Sequence, residues 1–355
     1  MKILLLGEFS GFNKNLKEGL IELGHECEVA GVRDGFKRIP VDIDLDSNYS
    51  GIIGKFEKRF KLISNLSKFK GYDVVQLINP FNLYYKFFPN NYFIDKVINS
   101  NKKIFLSGAG SDAFYWKFGR ELMEYGPFED YLKYDLKKEK SYLQNKSSYD
   151  FNKKILDKSN GVIPIMYDYE IGYSKESKIL PTIPIPINTD NIKFHENKIN
   201  EKLVIFHGLN RYGFKGTRHV EEAFSILHKK YPNDLELIID GKMSLDKYLE
   251  VMDKANCVID QTSSYSTGIN GLTAMAMGKV VLGGAEKESL QSYRLKSSPI
   301  INIKPNAMSI VTEVEKLLDR KNEIPFLGQI SREYIENVHC YKKVAQTYIN
   351  TWSTN

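Results

Sequence analysis

The stretch Lys2-Ile-Leu-Leu-Leu-Gly7, with the loop 8–12, the segment 16–24 and the run Glu28-Val-Ala-Gly-Val32 behind it, decides the fold class. Four apolar residues in a row closed by glycine fit a short strand buried on both faces of a parallel sheet. Leu16, Leu20, Ile21 and Leu23 follow at helical spacing, and Gly24 supplies a C-terminal stop. A second strand over 28–32 completes a strand, loop, helix, strand unit, the repeating element of doubly wound α/β sheets.

The pattern recurs outward from this unit. Asp73-Val-Val-Gln-Leu-Ile78, Lys103-Ile-Phe-Leu106 and Gly161-Val-Ile-Pro-Ile165 read as further strands, with a helix over 92–99 and a Lys- and Tyr-rich helical stretch over 128–158. Leu180-Pro-Thr-Ile-Pro-Ile-Pro-Ile187 holds three prolines in six residues, so it predicts an extended connector rather than a helix. Beyond it a second series begins. Strands are expected over 203–206, 235–239, 257–259 and 279–282, and helices over 219–230, 244–254 and 270–277. The stretch 331–351 reads as one further helix. The reading is an α/β chain of two Rossmann-like parallel-sheet domains, over 1–185 and 186–330. A C-terminal helical segment spans 331–355.

The chain has 355 residues, 42% of them hydrophobic and 26% charged, so two packed domains are the natural expectation and disorder is not. A formal net charge of +6 is too small to point to nucleic acid, and suits an anionic ligand or an anionic surface. Cys27, Cys257 and Cys340 are scattered without metal-ligand spacing, which fits a reducing compartment. The apolar run 3–6 is too short for a signal peptide or a membrane span, so a cytoplasmic protein is expected, with contact at the inner membrane face left open.

Chemistry concentrates in Tyr265-Ser-Thr-Gly-Ile-Asn-Gly-Leu-Thr-Ala-Met-Ala-Met-Gly-Lys279. Small residues bring the backbone of Ser266, Thr267, Gly268, Ile269 and Asn270 close to a ligand, and a helix starts at once. Unpaired N–H groups and the positive end of the helix dipole make an anion site beyond the carboxyl end of the preceding strand. An ordinary glycine-containing turn is the plain alternative.

The run Ala274-Met-Ala-Met-Gly-Lys-Val-Val281 resembles a segment of the retaining GT-B glycosyltransferases (group 1, family 4-like). Phe206-His-Gly-Leu-Asn-Arg-Tyr-Gly-Phe-Lys-Gly-Thr217 resembles the first strand and loop of their donor domain. That resemblance spans most of residues 200–285. It implies a GT-B architecture, two doubly wound domains facing a cleft, with a nucleoside diphosphate sugar as donor and no cofactor or essential metal. Arg211, Lys215 and Gly216 would face the diphosphate, Thr273 the ribose and Tyr265 the donor sugar. The family usually carries glutamates at the last two positions. Arg grips two phosphate oxygens and Lys acts as a point charge, and both stabilise the charge developing on a leaving diphosphate. Ser10 and Gly11, in the loop after the first strand, would lie on the phosphate side. Asp112, in Phe105-Leu-Ser-Gly-Ala-Gly-Ser-Asp112, would sit beside the acceptor as a catalytic group, or alternatively cap the helix that follows it. The implied reaction moves a sugar to a hydroxyl of a glycan or lipid-linked acceptor, in bacterial surface polysaccharide synthesis. A sugar-nucleotide epimerase shares the architecture. The missing glutamates also motivate a catalytically silent sugar-nucleotide-binding subunit. Loops 240–243 and 260–265 would select base and sugar.

Two patterns lie outside that scheme. Asp42-Ile-Asp-Leu-Asp46 holds an Asp-x-Asp sequence, read as strand or turn rather than as a metal site. The segment 55–70 sets Phe56, Phe60 and Ile63 on one face amid six basic residues. It suits a helix lying on anionic lipid, or a basic solvated face over an ordinary core.

Overall fold

A computed structural model describes every residue except Lys242 and Ser244, and every side chain but those of Phe36 and Leu245 besides. The expected helix start at Ser244, and Lys242 in one of the selecting loops, therefore lie outside the described residues. The chain divides into two compact units. One comprises Met1–Phe118, Tyr142–Pro186 and Tyr341–Asn355, the other Gly119–Ser141 and Ile187–Cys340.

The first unit is built on six parallel strands: β1 (Lys2–Leu6), β2 (Glu26–Gly31), β3 (Ile43–Asp44), β4 (Val74–Leu77), β5 (Lys103–Gly108) and β6 (Gly161–Pro164). Their order is β3-β2-β1-β4-β5-β6. Ile3, Leu4 and Leu5 of β1 are wholly buried, as a strand covered on both faces requires. Helix α1 (Phe12–Glu22) turns Phe12, Leu16 and Leu20 to the sheet, whereas Ile21 stands half exposed. Helices α2 (Gly51–Ser64), α3 (Asn90–Asn99), α4 (Lys146–Lys158) and α5 (Tyr167–Tyr173) complete the layers.

The second unit has five parallel strands: β7 (Leu203–Leu209), β8 (Leu235–Gly241), β9 (Cys257–Ile259), β10 (Val280–Gly283) and β11 (Ile301–Asn302). Their order is β11-β10-β9-β7-β8, so the winding reverses between β7 and β9. Helices α6 (Thr217–Lys230), α7 (Leu245–Lys254), α8 (Ile269–Ala276), α9 (Lys287–Ser292), α10 (Ala307–Asp319) and α11 (Ile324–Val338) flank them. Val220 and Leu227 of α6 and Val311 and Val314 of α10 bury against Ile205 and Leu282 of the sheet. Two parallel sheets with helices on their faces bear out the α/β reading.

Two segments differ from expectation. The stretch 128–158 is not one helix: Gly119–Ser141 packs with the second unit as short turns, and only α4 is a regular helix. The terminal stretch is likewise two helices. His339, just past the end of α11, accepts a hydrogen bond on its carbonyl oxygen from Ile187 N at 2.8 Å. The chain then continues as α12 (Tyr341–Thr354), which belongs to the first unit and packs on α1. Close approach needs Gly19 there, since a Cβ would lie 2.5 Å from Tyr341 O.

Trp352 anchors α12. It is fully buried and donates from Nε1 to Gln76 Oε1 on β4 at 2.9 Å, while Gln76 Nε2 donates to Ser107 Oγ on β5 at 2.8 Å. We expect Trp352→Ala to cost the first unit about 3–5 kcal/mol, because it opens a cavity and strips Gln76 of a buried donor. Urea unfolding followed through Trp116, the other tryptophan of the chain, measures this; a loss under 1 kcal/mol would refute the anchoring role.

Candidate functional site

The candidate site lies where β7 and β9 end, at the reversal of strand order in the second sheet. In open α/β sheets, ligands bind beyond the carboxyl ends of the strands at such a point. His207 on β7 pairs in register with Ile259 on β9 and is wholly buried. Its Nδ1 lies 2.9 Å from Ile259 O, and its Nε2 lies 2.9 Å from Thr217 Oγ1. A carbonyl only accepts, so Nδ1 carries the proton and Nε2 accepts from the Thr217 hydroxyl. Burial, helped by the Lys215 ammonium, pushes the imidazole down to about 4. His207 is thus a neutral strut that fixes the start of α6.

The loop between them is tightly wound. Lys215 N donates to Arg211 O, Gly216 N to Gly213 O and Thr217 N to Tyr212 O, each at 3.0 Å. Gly216 takes φ +68°, and a Cβ would lie 2.1 Å from Thr262 Oγ1, so only glycine fits. The Arg211 guanidinium is exposed, 3.8 Å above the centre of the Phe214 ring. Lys215 is buried, and its Nζ lies 3.2 Å from Asp260 Oδ1, just past β9. Asp260 Oδ2 accepts from Gly268 N at 2.8 Å. One carboxylate thus ties the two sequence motifs together. Lys215, expected as a charge for the ligand, has that charge balanced from within.

Helix α8 starts after Gly268 without a side-chain cap, and Gly268, Ile269, Asn270 and Thr273 are half exposed. Its first-turn N–H groups are therefore the anion-attracting surface of the site. The hydroxyls before it point inward. Thr267 Oγ1 donates to Gly284 O at 3.0 Å, and Ser266 Oγ is buried without a hydrogen-bond partner among the described residues. Lys279 is not part of the cradle. Its buried ammonium donates to Asp253 O at 2.5 Å at the end of α7, and burial holds its pKa below the usual lysine range.

Tyr265 faces elsewhere. Its ring stacks on Tyr125 with centroids 4.7 Å apart, and its hydroxyl accepts from Glu124 N at 3.1 Å. Tyr125 in turn donates to Glu286 Oε1 at 2.8 Å. The same segment reaches the Arg211 loop: Asp135 Oδ2 accepts from Phe214 N at 2.8 Å, and Asp130 Oδ2 pairs with Arg218 Nε at 2.6 Å. Sequence reasoning missed Asp260 as a linker and Glu124, Tyr125 and Glu286 altogether. An acid directly after an apolar strand and eight residues before a glycine-led helix is the signal that was there for Asp260.

Ser10, Gly11 and Asp112 belong to the first unit. Ser10 N donates to Asp34 Oδ2 at 3.0 Å. Gly11 N and Lys14 N donate to the two oxygens of Glu8, at 2.8 and 2.9 Å. The start of α1 is therefore occupied by an internal carboxylate, which burial pushes up to about 7. Asp112 is 1% exposed. Its Oδ1 accepts from Tyr115 N at 2.8 Å and its Oδ2 from Tyr173 Oη at 2.6 Å. Burial raises it to about 6. This is the geometry of a buried cap. Asp42, Asp44 and Asp46 are spent on backbone N–H groups and on Lys17, Lys58 and Arg33. Among the described residues, no three His, Cys, Asp or Glu side chains group to hold a metal.

No family model matches the chain, and no curated protein sequence does. Solved structures match over its whole length. Sucrose-phosphate synthase from Thermosynechococcus elongatus superposes with a TM-score of 0.63 at 15% identity, covering 100% of both chains. HepE from Anabaena, solved in complex with UDP-glucose, gives 0.61 at 10%, again over 100% of both. The UDP-GlcNAc 2-epimerase from Neisseria meningitidis, solved with UDP-GlcNAc bound, gives 0.56 at 13% over the same coverage. The fold is GT-B. In this GT-B chain the second sheet carries the bridged loops and the uncapped helix start.

Protonation separates the two units. The pKa of His207 is depressed on folding, so its stabilisation is complete above about 6.5 and is lost as pH falls towards 4. The loss is roughly 3 kcal/mol at its limit. His207→Gln should flatten that slope in thermal melts between pH 7.5 and 4.5; an unchanged slope would count against the buried neutral imidazole. Glu8 has the opposite sign. Its raised pKa gives stabilisation present below about 4.5 and lost as pH rises through about 7. Glu8→Gln should therefore gain on the native protein between pH 5 and 8 in the same melts, and a constant difference would contradict this.

Proposed function

We propose that the chain is a glycosyltransferase that moves a sugar from a nucleoside diphosphate sugar to a hydroxyl of a glycan or lipid-linked acceptor. The observation that carries this is the uncapped, half-exposed start of α8 at the switch point of the second sheet, braced to the Arg211–Gly216 loop through Asp260. The N–H groups of Ile269 and Asn270 would bind the diphosphate. Arg211, free to leave the Phe214 ring, would bring the cation. Gly216 lets the loop pass close, and Lys215 holds it to Asp260. Thr273, one turn along α8, offers a hydroxyl to the ribose. As the sugar leaves, charge grows on the diphosphate, and the fixed dipoles with the guanidinium stabilise it. Retention of configuration, independence from metal and a place in surface polysaccharide synthesis at the cytoplasmic side follow from the family resemblance of the two motifs.

An epimerase is the second reading, supported by the full-length likeness to the Neisseria enzyme. It needs accessible acid and base groups beside the sugar. His207, Lys215 and Asp260, titratable groups at the switch point, are all buried and engaged. Transfer is favoured for that reason.

Calorimetry with UDP, UDP-glucose and UDP-GlcNAc, together with release of UDP over a panel of acceptors, tests the proposal. Arg211→Ala should weaken nucleotide binding about 10- to 100-fold, the worth of a charge-assisted contact. Sugar-nucleotide binding without turnover on any acceptor would favour a silent binding subunit, and a changed sugar configuration without transfer would favour the epimerase. Absence of any nucleotide binding would sink all three.

A further inference from the structure

Helix α2 exposes the wrong face for a soluble surface. Its 14 residues bury only Gly54 and Leu62, and Lys58 and Lys61, on that inner side, pair with Asp46 and Glu57. Ile52, Ile53, Phe56, Phe60 and Ile63 are each between 57% and 86% exposed. At about 100° per residue these five fall within an arc of about 100°, opposite the buried side. Of the two readings the sequence leaves open, a basic solvated face over an ordinary core is not what these residues form. Isolated exposed apolar residues are ordinary, but five contiguous large ones on one face mark an interaction surface.

The neighbouring loop extends the patch. Arg59 Nη2 donates to Lys86 O at 2.6 Å, which places Phe87 next to the helix. Phe87 is 86% exposed and takes φ +60°, a conformation that bulky residues rarely adopt. Lys55 and Arg59 flank the apolar arc on one side, and Lys86 stands over the Phe87 ring at 4.8 Å. An apolar stripe edged by cations complements a layer that is apolar below and anionic above.

We infer that α2 and Phe87 form a membrane-docking surface, with α2 lying in the headgroup plane of an anionic bilayer. The aromatic and aliphatic side chains enter the acyl boundary, and Lys55 and Lys86 meet lipid phosphates. Among the described residues no helix is long and apolar enough to cross a membrane.

Co-sedimentation of the full chain with vesicles of phosphatidylcholine alone, or with one third phosphatidylglycerol, tests this. Binding should favour the anionic vesicles and fall as salt rises. The double variant Phe56→Ser/Phe60→Ser should lower the partition coefficient roughly tenfold or more, with its melting temperature retained. Lys55→Gln/Lys86→Gln should weaken binding to anionic vesicles and leave binding to neutral ones unchanged. Nucleotide affinity, measured in parallel, should not move in either variant, so this outcome is independent of the proposed transfer reaction. Equal partition of native protein and variants would overturn the inference. So would a concentration-dependent dimer in sedimentation velocity that the Phe variant abolishes, since a second copy would then be the occupant.

Discussion

The second unit's site depends on one carboxylate. Asp260 stands at the end of a three-residue strand, takes the Lys215 ammonium on one oxygen and the Gly268 N–H on the other, and is almost wholly buried. A buried ion pair adds little net stability, but breaking one by removing a partner typically costs about 3–5 kcal/mol. Asp260 therefore fixes geometry more than it adds energy. It joins two loops that follow different strands, and both lie at the one place where the sheet reverses its winding. Moving either loop would leave a charge buried alone.

The same reasoning separates the two helix starts that follow switch-point strands. In the first unit, Glu8 fills the start of α1, so the helix dipole and two N–H groups are already satisfied. In the second, Asp260 takes a single N–H and α8 has no side-chain cap. Two helices that each follow a switch-point strand thus end in opposite electrostatics: a closed terminus in one unit and an anion-attracting one in the other. A glycine after a strand is no sufficient sign of a phosphate site, because an acid one residue on can occupy it. Gly7-Glu8 illustrates that limit.

Most strands were legible as short, continuous apolar runs and most helices by apolar residues repeating with a period of 3.6, and the reach of the donor-side motif followed from its resemblance. What escaped was set by tertiary partners. Gly119–Ser141 has no clear period, and its place in the second unit rests on pairs such as Asp130–Arg218 that no local pattern encodes. The break at His339 coincides with a hydrogen bond from Ile187, far away in sequence. For α2 the periodicity was plain and the inference from it incomplete. Amphipathicity shows that a helix has two faces, yet it does not say that the chain supplies a core for the apolar one.

Tyr265 is built into the packing of the second unit. Its ring is fixed by the Tyr125 stack and its hydroxyl by Glu124 N, so it serves as a clamp for the inserted segment. A glutamate here could not stack, and its carboxylate would meet Glu286, which already accepts from Tyr125 and Asn302 on one oxygen. The local acid is Glu286, and it is tied up in hydrogen bonds. Aromatic stacking and like-charge avoidance together explain why a tyrosine suits this position once residues 119–141 pack against it.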